Sequence, residues 1–565
     1  MLSFEGLIEP LNSRFTSKFK PRFKPIFTTL SIFHFMASAT TKSSLSQKRP
    51  VPASWLKWAI ALTASLGAML EVIDTSIVNV ALTDMQASVG ATISEIGWVV
   101  TGYAIANVII IPLTAWLGEA FGKKRYFVFS LVGFVVASVL CGLAANLSAL
   151  VASRVLQGLL GGGLLAKAQS ILFETFPPEE QGVAQAVFGV GVIAGPAIGP
   201  TLGGYLTDAL GWRWIFFINV PVGIVAVLMA VIFLPADDLR PDRPIPRVDW
   251  WGIALLTIAL GSLQTFLEEG EQDGWFESHT ITLLAVSAIV GLLLFIWREL
   301  STDQPAVDLR VLRHRSLAAG SVYSAVVGMG LYGTLFVIPI YAQTVLNYTA
   351  QQTGLLIMPG ALASAVTMVV MGKVSGKVDG RVLIAGGSIF IAVIMFNLAD
   401  LNPNTGSDAL FWPLLWRGVS VVMMFLPLSL VTLGPLPKQD IPAGSGFYNL
   451  TRQLGGSIGI ALLATVLDRR HAFHRAVLVE HVSPYDLQTQ ERINALMGAM
   501  QSQGADAATA HQQALALLDQ TLEGQAMLLA FEDLFWVVGL IFLVTLPLLF
   551  LLGKGGDRSV SVGGH

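Results

Sequence analysis

Six ionisable residues sit inside long apolar runs of this 565-residue chain, and their types suggest proton chemistry. In LEVIDTSIVNVAL (residues 70–82), Glu71 and Asp74 are three positions apart, which puts them on one face of a helix. SRVLQGLLGGGLLAKAQS (153–170) holds Arg154 and Lys167, and Arg417 and Arg452 lie in later runs. A charge at lipid depth is costly and marks a pathway for ions or substrates. Burial favours the neutral acid and a neighbouring cation favours the carboxylate, so Asp74 is placed to load and release a proton as water access changes. Arginine does not give up its proton, so Arg154 is expected to tune Asp74 rather than relay. Glu71 and Lys167 are expected to line the same cavity, with Glu71 attracting cationic substrates. The alternative for each charge is a static ion pair that fixes helix packing.

The elements that carry these residues are membrane spans. Hydrophobic residues make up 54% of the chain and charged ones 13%, against about a quarter charged in soluble domains. Runs of about twenty apolar residues, enough to cross a hydrocarbon layer as helix, are predicted at 57–80, 95–117, 127–146, 149–172, 183–206, 214–234, 251–267, 280–297, 318–342, 354–372, 382–399, 410–431, 446–467 and 528–552. That is an all-α membrane protein of fourteen spans. Lys and Arg fall on one side: Lys123, Lys124 and Arg125, then Arg240, Arg243 and Arg247, then Arg310, Arg313 and Arg315, then Lys373, Lys377 and Arg381. The short loops of the other side hold only Arg213, which predicts both termini in the cytoplasm.

Other chemistries find no support. The single cysteine, Cys141, excludes a disulfide and a Cys-based metal site, no histidine sits in the middle of a span, and no phosphate-binding loop is present. No cofactor, metal, enzymatic activity or nucleic-acid partner is expected.

The stretch GVGVIAGPAIGPTLGG (189–204) spaces Gly191, Gly195, Gly199 and Gly203 four apart, with Gly204 beside the last. They form one face along which a neighbouring helix can approach backbone to backbone. Pro196 and Pro200 each remove a backbone donor and are expected to kink the helix. After the second span comes WLGEAFGKKRYF (116–127), and after the tenth MGKVSGKVDGRVL (371–383), a repeat that points to two tandem halves. In the first copy, Glu119 and Gly122 beside Lys123 suggest a latch that breaks when the halves rock. The expected organisation is a basic extension over 1–50, a six-span half over 57–234, two inserted spans within 235–317, a second six-span half over 318–552 and a cytoplasmic tail over 553–565. The extension is read as a transit peptide, a surface-binding arm, or sequence upstream of a start at Met36. Residues 468–527 fall outside and predict one or two surface helices, capping the outer mouth, meeting a partner, or serving as a plain connector.

These residues resemble the major facilitator superfamily, specifically its fourteen-span drug:proton antiporter branch of EmrB/QacA type, from about 57 to 552. The first-span signature appears as IDTSIVNVAL (73–82), the fourth-span motif as Arg154, Gln157 and Gly158, and the antiporter motif as Gly195, Pro196, Gly199, Pro200, Gly203 and Gly204. WRWIFFINVPVG (212–223) continues in the family manner. The loop motif departs from the pattern: Ala115 replaces its first glycine, Glu119 its aspartate and Ala120 its arginine, while Gly122 and Lys123 remain.

The resemblance implies proton-driven export of hydrophobic or amphiphilic small molecules across a bacterial inner membrane, with Asp74 and Arg154 coupling the proton. It also implies Asn79, Gln157 and Arg417 in the cavity beside Glu71 and Lys167, and a periplasmic adaptor and outer-membrane channel as partners. Rival readings are dedicated export of one metabolite, such as a siderophore or fatty acid, and a non-transporting receptor or lipid-modifying enzyme.

Overall fold

The computed structural model describes residues 54–237, 248–400, 407–483 and 485–552. The basic N-terminal extension, Arg240, Arg243, Arg247 and the C-terminal tail lie outside the described residues. Fourteen helices are long and apolar enough to cross a membrane, as the hydropathy predicts.

In chain order the N-terminal set comprises α1 (Ser54–Val80), α2 (Leu82–Val89), α3 (Ile93–Phe121), α4 (Lys123–Gly142), α5 (Leu147–Gly161), α6 (Leu164–Thr175), α7 (Gln181–Leu210), α8 (Trp214–Phe217) and α9 (Asn219–Phe233). Two further helices follow, α10 (Trp250–Glu269) and α11 (His279–Ser301). The C-terminal set is α12 (Arg315–Thr344), α13 (Ala350–Val374), α14 (Gly380–Leu398), α15 (Ser407–Leu433), α16 (Ile441–Glu480), α17 (Leu487–Ser502) and α18 (Ala507–Val544).

Helix ends follow local chemistry. Thr92 and Glu95 cap α3 reciprocally, and Thr349 and Gln352 do the same for α13. Gly122, at φ +93°, ends α3 and admits α4 directly, a backbone conformation that a side chain would strain. Among the described residues, the loops at the ends of α3, α11 and α13 gather basic residues, and this end of the bundle is called the basic end below.

One feature departs from the sequence reading and two add detail to it. The fourth span is two helices, α5 and α6, broken at Gly162 and Gly163, with Gly163 at φ +74°. A side chain at Gly162 would overlap Ile110 and the Gly158 carbonyl, so the break lets α3 lie close. Both Pro196 and Pro200 lie inside α7, which is one continuous helix. The segment 468–527 contains one separate helix, α17, within the one or two expected, and its two ends continue the flanking helices. The α16 helix runs 40 residues and α18 runs 38, about 60 Å each and twice the hydrocarbon thickness. Both project past the span with α17 between them; no proline interrupts either projecting part, and Gly524 is carried inside α18.

The α7 glycines meet α1 as expected: a Cβ at Gly195 would lie 2.9 Å from Val72 Cγ1, and one at Gly199 would overlap Ser76 Oγ. Ser76 Oγ also donates to the Gly195 carbonyl at 3.2 Å. Towards the basic end, α7 meets the C-terminal set, where a Cβ at Gly182 would lie 2.6 Å from the Gly372 carbonyl of α13 and one at Gly189 would overlap Met368. One helix thus packs closely against both sets. A second close crossing, which the sequence reading did not single out, joins α12 and α16, where Gly459 packs on Met329 and Gly455 on the Ala325 carbonyl.

Candidate functional site

Asp74 of α1 is wholly buried and its two oxygens have separate partners. Oδ2 accepts from Arg154 NH1 at 2.6 Å. Oδ1 accepts from Gln157 Nε2 at 2.9 Å and Asn219 Nδ2 at 2.8 Å. Arg154 is 1% exposed; its Nε donates to the Val99 carbonyl at 3.0 Å, NH1 also reaches Gln157 Oε1, and its guanidinium lies 4.2 Å from the Tyr103 ring centre. Asn219 donates again to Ser138 Oγ, which donates to the Phe216 carbonyl. The network ties α1, α3, α4, α5 and α9 together within the N-terminal set. Separating such a desolvated pair leaves an uncompensated buried charge, so loss of either partner strands the other.

Glu71, one turn away, belongs to a different network. Its Oε1 accepts from Asn107 Nδ2 at 2.8 Å and its Oε2 from the Leu165 backbone N–H at 2.8 Å. That N–H is free because α6 starts at Leu164, and a helix N-terminus favours a carboxylate. Lys167 points elsewhere: Nζ donates to Ser130 Oγ at 2.6 Å and lies 3.8 Å from the Tyr126 ring centre. Lys167 lines a small pocket with Thr114, Lys123, Ser170 and Pro442.

The central cavity has a volume of about 50 Å³ and lies between α1, α7, α12, α13, α15 and α16. Its wall includes Val72, Pro196, Tyr332, Ser364, Arg417 and Arg452. A drug-sized ligand needs roughly 300–1,000 Å³, so this cavity as it stands has room for only a few waters.

Of the residues expected in this cavity, Arg417 lies in its wall, whereas Glu71, Gln157 and Lys167 are buried in other compartments. Asn79 is exposed near the C-terminal end of α1 and meets neither cavity nor ion pair; Asn219 supplies the amide beside Asp74 instead. Arg452 NH2 donates to Asn449 Oδ1 at 2.5 Å.

At the basic end, two carboxylates that the sequence reading did not single out, Glu174 and Asp237, meet the basic run. Lys123 Nζ pairs with Glu174 at 2.6 Å, and Asp237 accepts the Lys124 and Arg125 backbone N–H groups at 2.8 and 3.1 Å. Asp237 also fills the space a side chain at Gly122 would need. These contacts stay within the N-terminal set. The basic end is bridged to the C-terminal set by Ser445 Oγ, which donates to the Ala166 carbonyl at 2.7 Å, and Asn449 Nδ2, which donates to Gln169 Oε1 at 2.7 Å.

Signals for the missed residues were present. GGG at 161–163 marks the break, and the asparagine of FFINVPVG is Asn219. Asp237 and Glu174 carry no local pattern.

A fourteen-helix bundle with a sealed ion pair, a cavity between two helix sets and glycine-paved contacts between them defines a multi-pass membrane transporter. The profile of the Major Facilitator Superfamily matches residues 64–460, and the chain belongs to that superfamily, in its fourteen-span drug:proton antiporter branch. It is 34% identical over 517 residues to the multidrug export protein EmrB of Escherichia coli (strain K12), covering 91% of this chain and 99% of that one. It is 32% identical over 502 residues to the fatty acid resistance protein FarB of Neisseria gonorrhoeae, covering 89% and 97%. Among solved structures, the human organic anion transporter MFSD10 (TETRAN) superposes with a TM-score of 0.53 at 14% identity over 86% of this chain and 99% of that one, a likeness of fold alone.

Proposed function

We propose that the protein is a proton-driven exporter of hydrophobic or amphiphilic small molecules, working by alternating access across a bacterial inner membrane with its basic end in the cytoplasm. The observation that carries this is the buried Asp74–Arg154 pair, a carboxylate against a guanidinium in a bundle whose helix sets meet along glycine faces. In this reading Asp74 takes the coupling proton when the pair opens, Arg154 sets when it opens, and Gln157 and Asn219 hold the carboxylate between cycles. The relatives named for multidrug export supply the substrate class. The projecting helices of α16, α17 and α18 offer a docking surface for a periplasmic adaptor leading to an outer-membrane channel.

The test is Asp74→Asn in reconstituted vesicles carrying an imposed pH gradient. Dye efflux should fall to the background of empty vesicles while the protein remains inserted and folded. Undiminished gradient-driven efflux would remove Asp74 from the mechanism.

A second reading, dedicated export of an acid such as a fatty acid or siderophore, is favoured by the cavity wall, which contains Arg417 and Arg452 and no acidic residue. A panel of cationic dyes against carboxylic acids in the same vesicles separates the two: transport of acids alone supports the second.

A further inference from the structure

We propose that Glu71 is the carboxyl group whose protonation releases the closed basic end, acting through the short helix α6. The inference rests on the reading of proton-driven export. It assigns a second, separate role beside the Asp74–Arg154 pair.

The two carboxylates of α1 differ in what holds them. Asp74 is clasped by a guanidinium and two amides inside the N-terminal set. Glu71 is held by neutral donors alone, Asn107 Nδ2 and the Leu165 N–H, and the second of these belongs to an element that also contacts the C-terminal set. Counting along α6, Leu165 donates to Glu71, the next carbonyl, Ala166, accepts Ser445, and Gln169 one turn on accepts Asn449, which in turn holds Arg452. The helix is short and detached from α5 by the glycine break, so it can shift without moving α5 and the ion pair it carries.

The charged and titratable groups facing Glu71 are Lys167 of α6 and Arg452 of α16, which act on it through space, and Tyr103 of α3 in the same compartment. None forms an ion pair with it: Lys167 is engaged by Ser130 and Arg452 by Asn449.

As a carboxylate, Glu71 anchors the N-terminus of α6 by two hydrogen bonds and by its charge at the positive helix end. Once protonated it loses that charge, α6 is held less firmly, and its grip on Ser445 and Asn449 weakens. Opening of the cytoplasmic end upon protonation is the direction an exporter exchanging protons for substrate requires, since a proton taken up outside must return the protein to the inward-facing state.

The experiment uses the full-length protein with Cys141→Ala, and spin labels at Glu179→Cys and Lys438→Cys. These two exposed positions lie at the basic end, one in each set. Distances are measured by pulsed electron resonance across pH in lipid nanodiscs. The parent should shift from a short to a longer distance as pH falls. Glu71→Gln should hold the longer distance at every pH. Asn107→Ala, which removes a donor from the carboxylate while leaving Glu71 in place, should move the midpoint to higher pH. Asp74→Asn should keep the shift while losing gradient-driven export. A Glu71→Gln protein with the parent's pH response, or an Asn107→Ala protein with an unmoved midpoint, overturns the proposal. Normal export by Asp74→Asn with these distance results intact would sink the coupling role of Asp74 and leave Glu71 standing.

Discussion

Gly203 of α7 lies against Ile77 of α1 so closely that a Cβ there would stand 2.8 Å from Ile77 Cγ1 and 3.1 Å from the Ile77 carbonyl oxygen. The adjacent Gly204 would meet only Val80 Cγ1, at 4.0 Å. The contact face is therefore a stripe one residue wide, and the two glycines that end the motif are not equivalent.

Gly203→Ala should destabilise the bundle by about 1–3 kcal/mol through overpacking and slow export, whereas Gly204→Ala should leave both near the parent. Thermal unfolding in detergent and dye efflux from vesicles read the two effects together.

The Asp74–Arg154 pair predicts an asymmetry between single and double substitutions. Arg154→Met strands a buried carboxylate with only amide donors and should cost about 3–5 kcal/mol of stability. Asp74→Asn combined with Arg154→Met removes both charges and should recover much of that loss without recovering transport. Melting temperatures of the three proteins check this; a double variant less stable than Arg154→Met would count against it.

Asp249 caps α10 and clamps it to α11 through Arg298, whose Nε lies 3.0 Å from Oδ2. Burial pushes its carboxyl up, but the hydrogen bond and charge of Arg298 and the Gly252 N–H outweigh this and hold it below the ordinary carboxylate range. A folded-state value below the unfolded one stabilises at pH above the ordinary range and is lost as pH falls through the lowered value. Neutral-pH solutions therefore contain the full contribution. Arg298→Met leaves burial opposed only by backbone donors, so the α10–α11 pair should become more susceptible to proteolysis at neutral pH, and this difference from the parent should shrink in acid.

In the projecting hairpin, Asp533 of α18 accepts from Arg470 Nε at 2.5 Å and lies 2.7 Å from His474 Nε2, while Arg475 pairs with Asp519 and Glu523. These groups are half-exposed, and each such pair is worth about 0–1 kcal/mol. Asp533→Ala should loosen the hairpin, seen as faster proteolysis within 468–527, with at most a small change in overall melting temperature. A large drop would show that the hairpin supports the span bundle.

How much of the site was legible depends on how local its signal is. Asp74, Arg154 and Gln157 stand out because charge and amide inside apolar runs are rare, and they do meet. Asn79 has the same chemistry as Asn219 and a stronger sequence pattern, yet it lies near the end of α1 and is exposed, because only the register of helix against helix decides which amide reaches the carboxylate. Glu71 and Lys167, expected to share one cavity, are directed to different partners by the break at Gly162 and Gly163. The basic run found Glu174 and Asp237, both distant in sequence.

The sequence alone determined the fourteen spans, the one-sided basic loops, the glycine face of α7 and the identity of the main buried pair, since each follows from hydropathy, spacing or the cost of charge in lipid. Only the tertiary structure decided which residues share a compartment, where the fourth span breaks and how far α16 and α18 extend. These depend on contacts between segments tens to hundreds of residues apart, and no local pattern encodes the direction in which a side chain finds its partner.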